Sequence, residues 1–388
     1  MARKKPDKVL NEHIDQRRII TMPTLTKLLA TASVLALTAA GTANAADFYK
    51  GKRLSILINY SAGGPTDVEA RLFARNIGKH IAGNPQVIGK NMAGAGGVVA
   101  TNFLGQKARK DGRTIGYFTA IAATKAFEPL KDKGLKVDIG KFDLVATQAG
   151  TSFTYIRKDM APGINKPVDV MKAHGLTVSG LRSYSSKDIM LRLSLDLLGI
   201  KHKYVTGYRG SSKARVAVMQ NEAQMHNESQ PSYRAKVVPT LIDTNMAIGL
   251  WYYPFDDGTT VKAQPRLAKG LNVTSFHDFY EKVKGTKPSG IMWKVFREVN
   301  RASGMAQRSI VMPPGSPKAA LMALRKAVHG LNNDPQFAKD SMKTVSFVPQ
   351  YDIGAVAERI TKASIKLSPD VITFLKGYVD KVTSKKTN

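Results

Sequence analysis

Arg53-Leu54-Ser55-Ile56-Leu57-Ile58-Asn59-Tyr60, followed by Ser61-Ala62-Gly63-Gly64-Pro65-Thr66-Asp67, decides the fold of this chain. The first eight residues are mostly apolar and read as a strand, and from Asp67 the apolar residues Val68, Leu72, Ile77 and Ile81 recur near helical spacing. Strand, glycine loop and helix follow in that order. Gly63 and Gly64 permit positive φ and close backbone approach, Pro65 suits a first helical turn, and Thr66 or Asp67 can cap it. Amides left unpaired at such a helix start bind carboxylate or phosphate oxygens. An ordinary strand-to-helix turn with a capping Asp fits the same residues, and the motif alone does not separate the two readings.

The alternation continues along the chain. Strands are expected at 86–91, 114–119 and 144–148, and helices at 67–82, 98–110 and 122–133. A second series follows: a strand at 153–156, a helix near 168–173, a strand at 176–179, a helix at 186–198, a strand at 203–205, a helix near 212–220 and an apolar run at 246–251. This order predicts an α/β fold of two units, each a parallel sheet with helices on both faces. Residues 253–287 read as an insertion or long connection. Beyond them come a strand at 309–312, helices at 317–331 and 335–341, and one long helix from Ile353 to about Val379. The pattern restarts after Ala149-Gly150-Thr151, and the C-terminal segment resumes the first unit after Leu250-Trp251. Domain I is therefore expected at 46–149 and 251–388, domain II at 150–250, with a hinge at the two crossings.

An export signal precedes all of this. Residues 28–43 are apolar behind Lys27, and Ala43-Asn44-Ala45 forms a small-x-small cleavage site, so cleavage near Ala45 and a mature start at Ala46 are expected. Met22 offers an alternative start that leaves a compact signal. The 388 residues carry 59 Lys and Arg against 29 Asp and Glu, and the leader holds only seven of the bases and three of the acids. A balance this basic favours anionic partners. The bases are spread along the chain without a zinc-finger, RNP or basic-zipper pattern, which argues against nucleic acid. Zero cysteines excludes disulfides, thiolate metal sites and cysteine catalysis.

Other motifs repeat the loop logic of the first. Asn91-Met92-Ala93-Gly94-Ala95-Gly96-Gly97 precedes a helix start at Val98, but its GxGxxG frame ends in Val99, and no P-loop occurs. Gly207-Tyr208-Arg209-Gly210-Ser211-Ser212 and Gly180-Leu181-Arg182-Ser183-Tyr184-Ser185-Ser186 are further strand-to-helix turns rich in amides and hydroxyls. No GxSxG elbow or HExxH occurs, and the seven histidines lack ligand spacing, so no catalytic residue, metal or cofactor is expected.

Residues 60–67 resemble the first ligand loop of the tripartite tricarboxylate transporter substrate-binding proteins, the Bug family. Asn91 with Gly94-Ala95-Gly96-Gly97, the turn Asp111-Gly112-Arg113-Thr114 and Tyr208-Arg209-Gly210 look like its later landmarks, and Pro313-Pro314-Gly315-Ser316-Pro317 resembles its C-terminal signature. Asn59 and Gly207 stand where that family usually has Pro, and Arg182-Ser183-Tyr184 replaces its usual Ser-Gly-x-Gly run. The resemblance implies a monomeric periplasmic protein of type II, Venus-flytrap architecture. It implies closure on a small organic carboxylate anion and delivery to membrane transporter subunits, with no enzyme activity. The ligand residues it implies are Tyr60, Ser61, Ala62, Gly63, Gly64, Pro65, Thr66 and Asp67 in the first loop. Ala95 and Gly96 join them in the next, and Ser183, Tyr208, Arg209, Gly210 and Ser211 in the second domain. A sensor docking on a membrane receptor and a secreted enzyme are the alternative readings.

Overall fold

The chain order of the strands explains how two sheets share one polypeptide. The computed structural model describes residues 48–128, 134–208, 210–256, 261–262 and 268–383; the expected leader, Met22 and the cleavage site at Ala45 lie outside them. β1 (Arg53–Ile58) pairs in parallel with β2 (Gln86–Asn91) and β3 (Thr114–Thr119). From β4 (Asp143–Gln148) the chain passes through residues 149–151 into β5 (Ser152–Arg157), the first strand of a second sheet. That sheet adds β6 (Thr177–Gly180), β7 (Lys203–Thr206), β8 (Met225–Ser229) and β9 (Ala247–Tyr252). After a short hairpin of β10 (Phe255–Asp256) and β11 (Val261–Lys262), β12 (Thr274–Ser275) pairs with β9. β13 (Arg308–Met312) and β14 (Asp352–Ile353) return to the first sheet. The strand orders are β14-β4-β13-β3-β1-β2 and β12-β9-β5-β8-β6-β7.

Both sheets are mixed, where the βα alternation predicts parallel ones. β13 runs antiparallel to β3 and β4, and β5 antiparallel to β8 and β9. A strand that enters straight from a crossing starts at the edge where its βα neighbours end, so it must run the other way. The apolar run of β1 is explained by burial on two faces. Leu54, Ile56 and Ile58 pack with Phe73, Val145 and Ile310, while Leu57 faces Leu104, Phe118 and Val311 on the opposite side. In the second lobe Ile189, Leu193, Trp251 and Phe296 form the centre of the larger cluster.

The second crossing lies elsewhere than expected. Leu250-Trp251 falls inside β9, where Trp251 is paired with Thr154 on one side and Thr274 on the other. The residues after 251 stay with the second sheet through β12 and the helices Phe276–Lys284 and Gly290–Gly304, whose Phe279, Phe296 and Val299 are buried in its cluster. The chain recrosses only between Gly304 and Arg308. There it lies against the first crossing, and the Gly150 amide donates to the Gly304 carbonyl at 2.9 Å. The expected long helix from Ile353 is two helices, Gly354–Ser364 and Pro369–Thr383. Pro369 cannot continue a helix begun before it, and the Ser368 amide and hydroxyl are taken up by the Glu298 carboxylate at 2.7 and 2.8 Å. The first of these helices packs on β4; Val371 and Leu375 of the second belong to the second-lobe cluster, so residues 365–368 make a third crossing.

Candidate functional site: a cationic cleft at the strand ends

Asn59 sets the geometry at the end of β1. It is buried, its amide donates to the Thr119 carbonyl and its Oδ1 accepts from the Thr119 amide, both at 3.0 Å, which fixes β1 against β3. From this anchor the glycine loop turns outward. Gly63 takes φ +74°, whereas Gly64 is extended at φ −80° and is the N-cap of helix Pro65–Ile77, so of the two glycines that permit positive φ only Gly63 adopts it. Pro65 opens the helix and no side chain caps it. Thr66 instead shares a hydrogen bond with the Thr119 hydroxyl at 2.7 Å, and Asp67 turns back to accept from the Gly63 amide at 2.9 Å. Asp67 also accepts from Arg71 Nε at 2.8 Å and Asn91 Nδ2 at 2.9 Å. It braces the loop from behind, with its charge offset by Arg71.

The next loop stands beside the first. Its Gly94, Gly96 and Gly97 all take positive φ ahead of helix Val98–Gln106, and Tyr60 donates its hydroxyl to the Gly96 carbonyl at 3.2 Å. Burial raises the Tyr60 pKa, with Arg182 and Arg308 opposing, so the phenol remains a donor. In the second lobe the turn after β6 is pinned by buried Asp188, which accepts from the Leu181 and Arg182 amides at 2.6 Å each and from the Tyr204 hydroxyl at 2.9 Å. Burial raises the Asp188 pKa against these bonds and the nearby Lys187. Lys187 Nζ donates to Ser211 Oγ at 2.6 Å, at the start of helix Ser211–Met219. Burial lowers the Lys187 pKa, while Glu228 and Asp188 pull it back up.

These loops surround a cavity of about 890 Å³. Residues 60–66, Ala95, Gly96, Tyr208, Gly210 and Ser211 line it. Asp67 does not, for the reason above. Nor does Ser183: it is buried with its carbonyl accepting from Arg192 at 2.7 Å, and its neighbours Arg182 and Tyr184 face the cavity instead. Arg209 lies outside the described residues. The Asp111 turn and the Pro313 turn are not at the cavity either. Asp111 accepts from the Arg113 amide at 3.0 Å ahead of β3, and Asp143 holds the Ser316 amide at 3.0 Å beyond β13.

The sequence reading named Arg209 but none of the cations that line the cavity among the described residues as ligand residues. Arg182, Lys187, Arg215, Lys236 and Arg308 line the cavity, and among the described lining residues there is no Asp or Glu. Two of the five are answered from behind the wall: Arg215 by Glu228 at 2.5 Å, and Arg308 by Glu69 at 2.6 Å through Nε. Arg182, Lys187 and the exposed Lys236 have no carboxylate within ion-pair distance among the described residues. The only signal in the sequence was that Arg182 and Lys187 bracket a strand-to-helix turn. Arg215 and Arg308 carry none.

No protein-family model matches the chain. Among curated proteins it is 31% identical over 185 residues to a UPF0065 protein from the TAR-I ttuE-ttuC' intergenic region of Agrobacterium vitis, covering 44% of this chain and 49% of that one. It is 37% identical over 92 residues to BugT of Bordetella pertussis, covering 24% and 27%. The chain thus spans about half the length, or less, of these two relatives. Among solved structures, periplasmic binding protein BugD matches with a TM-score of 0.55 at 17% identity, over 87% of this chain and 98% of that one. Rpa4515 of Rhodopseudomonas palustris, solved with adipate, matches at 0.59 and 14% over 86% and 96%. MatC of the same organism, solved with malate, matches at 0.56 and 17% over 84% and 98%. The fold is therefore that of the periplasmic binding proteins, and the relatives of this chain by sequence are UPF0065 and Bug proteins.

Proposed function

We propose that the chain is a periplasmic solute-binding protein that captures a small organic carboxylate between its two lobes and delivers it to the membrane subunits of a tripartite tricarboxylate-type transporter. The observation that carries this reading is the cleft itself: five cationic side chains, amide-rich glycine loops from both lobes and no carboxylate among the described lining residues. In a site that sheds water on closure, such donors act on an anion through a lower effective dielectric than bulk water. MatC and Rpa4515, which share the fold, were solved with malate and adipate. The protein is proposed to act as a monomer without a cofactor and to release its ligand unaltered.

The test is a thermal-shift screen over mono-, di-, tri- and aromatic carboxylates. A ligand present at ~100 times its dissociation constant stabilises by roughly 2.7 kcal/mol, a readily measured shift. Absence of any shift across the panel would remove the carboxylate reading, and recovery of a chemically altered ligand would replace it with an enzyme.

A hinge is proposed at the crossings near Gly150, Gly304 and 365–368, where the chain passes between sheets. X-ray scattering is expected to show a smaller radius of gyration with saturating ligand than without; identical curves would count against closure.

A further inference from the structure

The cleft accounts for few of the 59 bases in this chain, and one face of the first lobe gathers many of the others. Helices Pro65–Ile77, Lys318–Asn332 and Pro335–Val345 cover one side of the first sheet, their Phe73, Leu324 and Phe337 sharing a buried cluster with Ile56 and Ile310. Asp334 ties this layer together: it caps helix Pro335–Val345 and lies 2.6 Å from Lys79 Nζ and 3.0 Å from His80 Nε2, just beyond helix Pro65–Ile77. The outward side is basic. Lys318, Met322, Lys326 and His329 follow at intervals of four, four and three, an exposed stripe of roughly 16 Å along one helix. Lys339, Met342 and Lys343 repeat the pattern on the next, and Arg75 adds to it. None of these five lysines and arginines has a carboxylate within ion-pair distance among the described residues. The acids of the layer offset little of this charge. Asp67 and Glu69 are buried, Asp334 answers Lys79, and Asp340 accepts from Gln336 at 2.8 Å. Met322 and Met342 are 65% and 53% exposed, more than any other large apolar side chain among the described residues. In the second lobe, by contrast, helices Ser186–Leu198 and Phe276–Lys284 carry two acids and two bases each.

We infer that this face docks on an anionic lipid bilayer, with the lysines over lipid phosphates and the two methionines in the headgroup boundary. The charges stand on long flexible stems, spread over neighbouring helices and tied to no carboxylate. Such a set matches a fluid array of phosphates better than the fixed geometry of one folded partner. Each base within a Debye length of the surface adds to the attraction, and the exposed thioethers supply an apolar contribution that salt does not screen. None of the residues of this face lines the cavity, so a docked molecule keeps its cleft out of the contact. The inference stands apart from the carboxylate reading.

Co-sedimentation of the mature protein with vesicles tests this, comparing phosphatidylcholine alone with phosphatidylcholine containing about 30 mol% phosphatidylglycerol. At low salt the wild type is expected to prefer the anionic vesicles at least about 50-fold, and to come off them in about 0.5 M salt. Combining Lys318→Gln, Lys326→Gln, Lys339→Gln and Lys343→Gln is expected to bring that preference to within about threefold of none. Lys166→Gln, Lys172→Gln, Lys201→Gln and Lys203→Gln together remove the same charge from exposed positions of the second lobe, and are expected to leave the preference within about threefold of wild type. Met322→Ser with Met342→Ser is expected to weaken anionic binding about threefold or more. Equal binding of the wild type to both vesicle types would overturn the inference, as would equal losses in the two four-lysine variants. Sedimentation only with vesicles that carry the membrane subunits of a transporter would overturn it too, in favour of an acidic protein face. The carboxylate-induced thermal shift of the Lys318, Lys326, Lys339 and Lys343 variant should match wild type, so failure of one reading is told apart from failure of the other.

Discussion

Glu69→Ala is expected to lower the unfolding free energy by about 3–5 kcal/mol, measured as a fall in the urea midpoint at unchanged slope. Glu69 lies in helix Pro65–Ile77 and Arg308 at the start of β13, each about 1% exposed, with Nε donating to the carboxylate at 2.6 Å. Gln148, the last residue of β4, donates to the other carboxylate oxygen at 3.2 Å. Removing the carboxylate leaves a guanidinium buried without its counter-charge, which costs more than the pair itself contributes. Replacing both partners, as Glu69→Leu with Arg308→Met, is expected to recover most of the loss, because no orphan charge remains. A double variant as unstable as Glu69→Ala alone would show that packing, not charge, governs the site. The single variant has a second expected effect of opposite sign. Arg308 lines the cleft, so once unpaired it becomes a further receptor for anions, and the thermal shift given by a carboxylate ligand should grow.

Gly97→Val is expected to disable ligand binding and to cost about 3 kcal/mol or more in stability, from a strained backbone together with overpacking. Gly97 holds φ +98°, a conformation that a β-branched residue resists, and a Cβ there would come 2.4 Å from Nδ2 of Asn59. The Asn59 amide is the clamp between β1 and β3, so the substitution strikes both glycine loops at once. Far-UV circular dichroism should remain close to wild type while the carboxylate-induced thermal shift disappears. A Gly97→Val protein that binds as well as the wild type would place the ligand away from these loops.

The sequence is informative where local pattern and tertiary environment agree. β1 is an apolar run because it is covered on both faces, and the Gly63 loop could be located because glycine and proline punctuate the transition to a helix. β8 was missed for the opposite reason. Met225-His226-Asn227-Glu228-Ser229 carries a polar centre that reads as loop, yet it forms an interior strand between β5 and β6. Two of its polar side chains are met by residues outside the strand: His226 Nδ1 by the Ser179 carbonyl at 2.8 Å, and Glu228 by Arg215. Period-based reading has no access to such partners. Helix Gly290–Gly304 was missed although Val295, Phe296, Val299 and Ala302 keep helical spacing, because the reading assigned no element between 287 and 309. The cleft cations were invisible because Arg182, Lys187, Arg215 and Arg308 are scattered among 59 bases, and only the crossings of the chain gather them. Asn59 shows a different limit. Its side chain reproduces, through two hydrogen bonds to Thr119, a rigidity that proline would supply through its ring.

The bond between Gly150 and Gly304 bears on how the lobes can move. A Cβ on Gly150 would come 2.1 Å from the Gln307 side chain, and one on Gly304 would come 3.3 Å from the Gly150 carbonyl, so the two segments touch with no room between them. Segments so joined act as one pin rather than as two independent straps, and the crossing at 365–368 is separate from it. Sliding and twisting of one lobe across the other would break the bond, whereas rotation about it would not. In the proposed hinge, with the crossing at 365–368 as a second support, the size of a ligand would set the angle at which the lobes come to rest. Size discrimination would then be read out as the posture of the whole protein, at a surface far from any atom that touches the ligand.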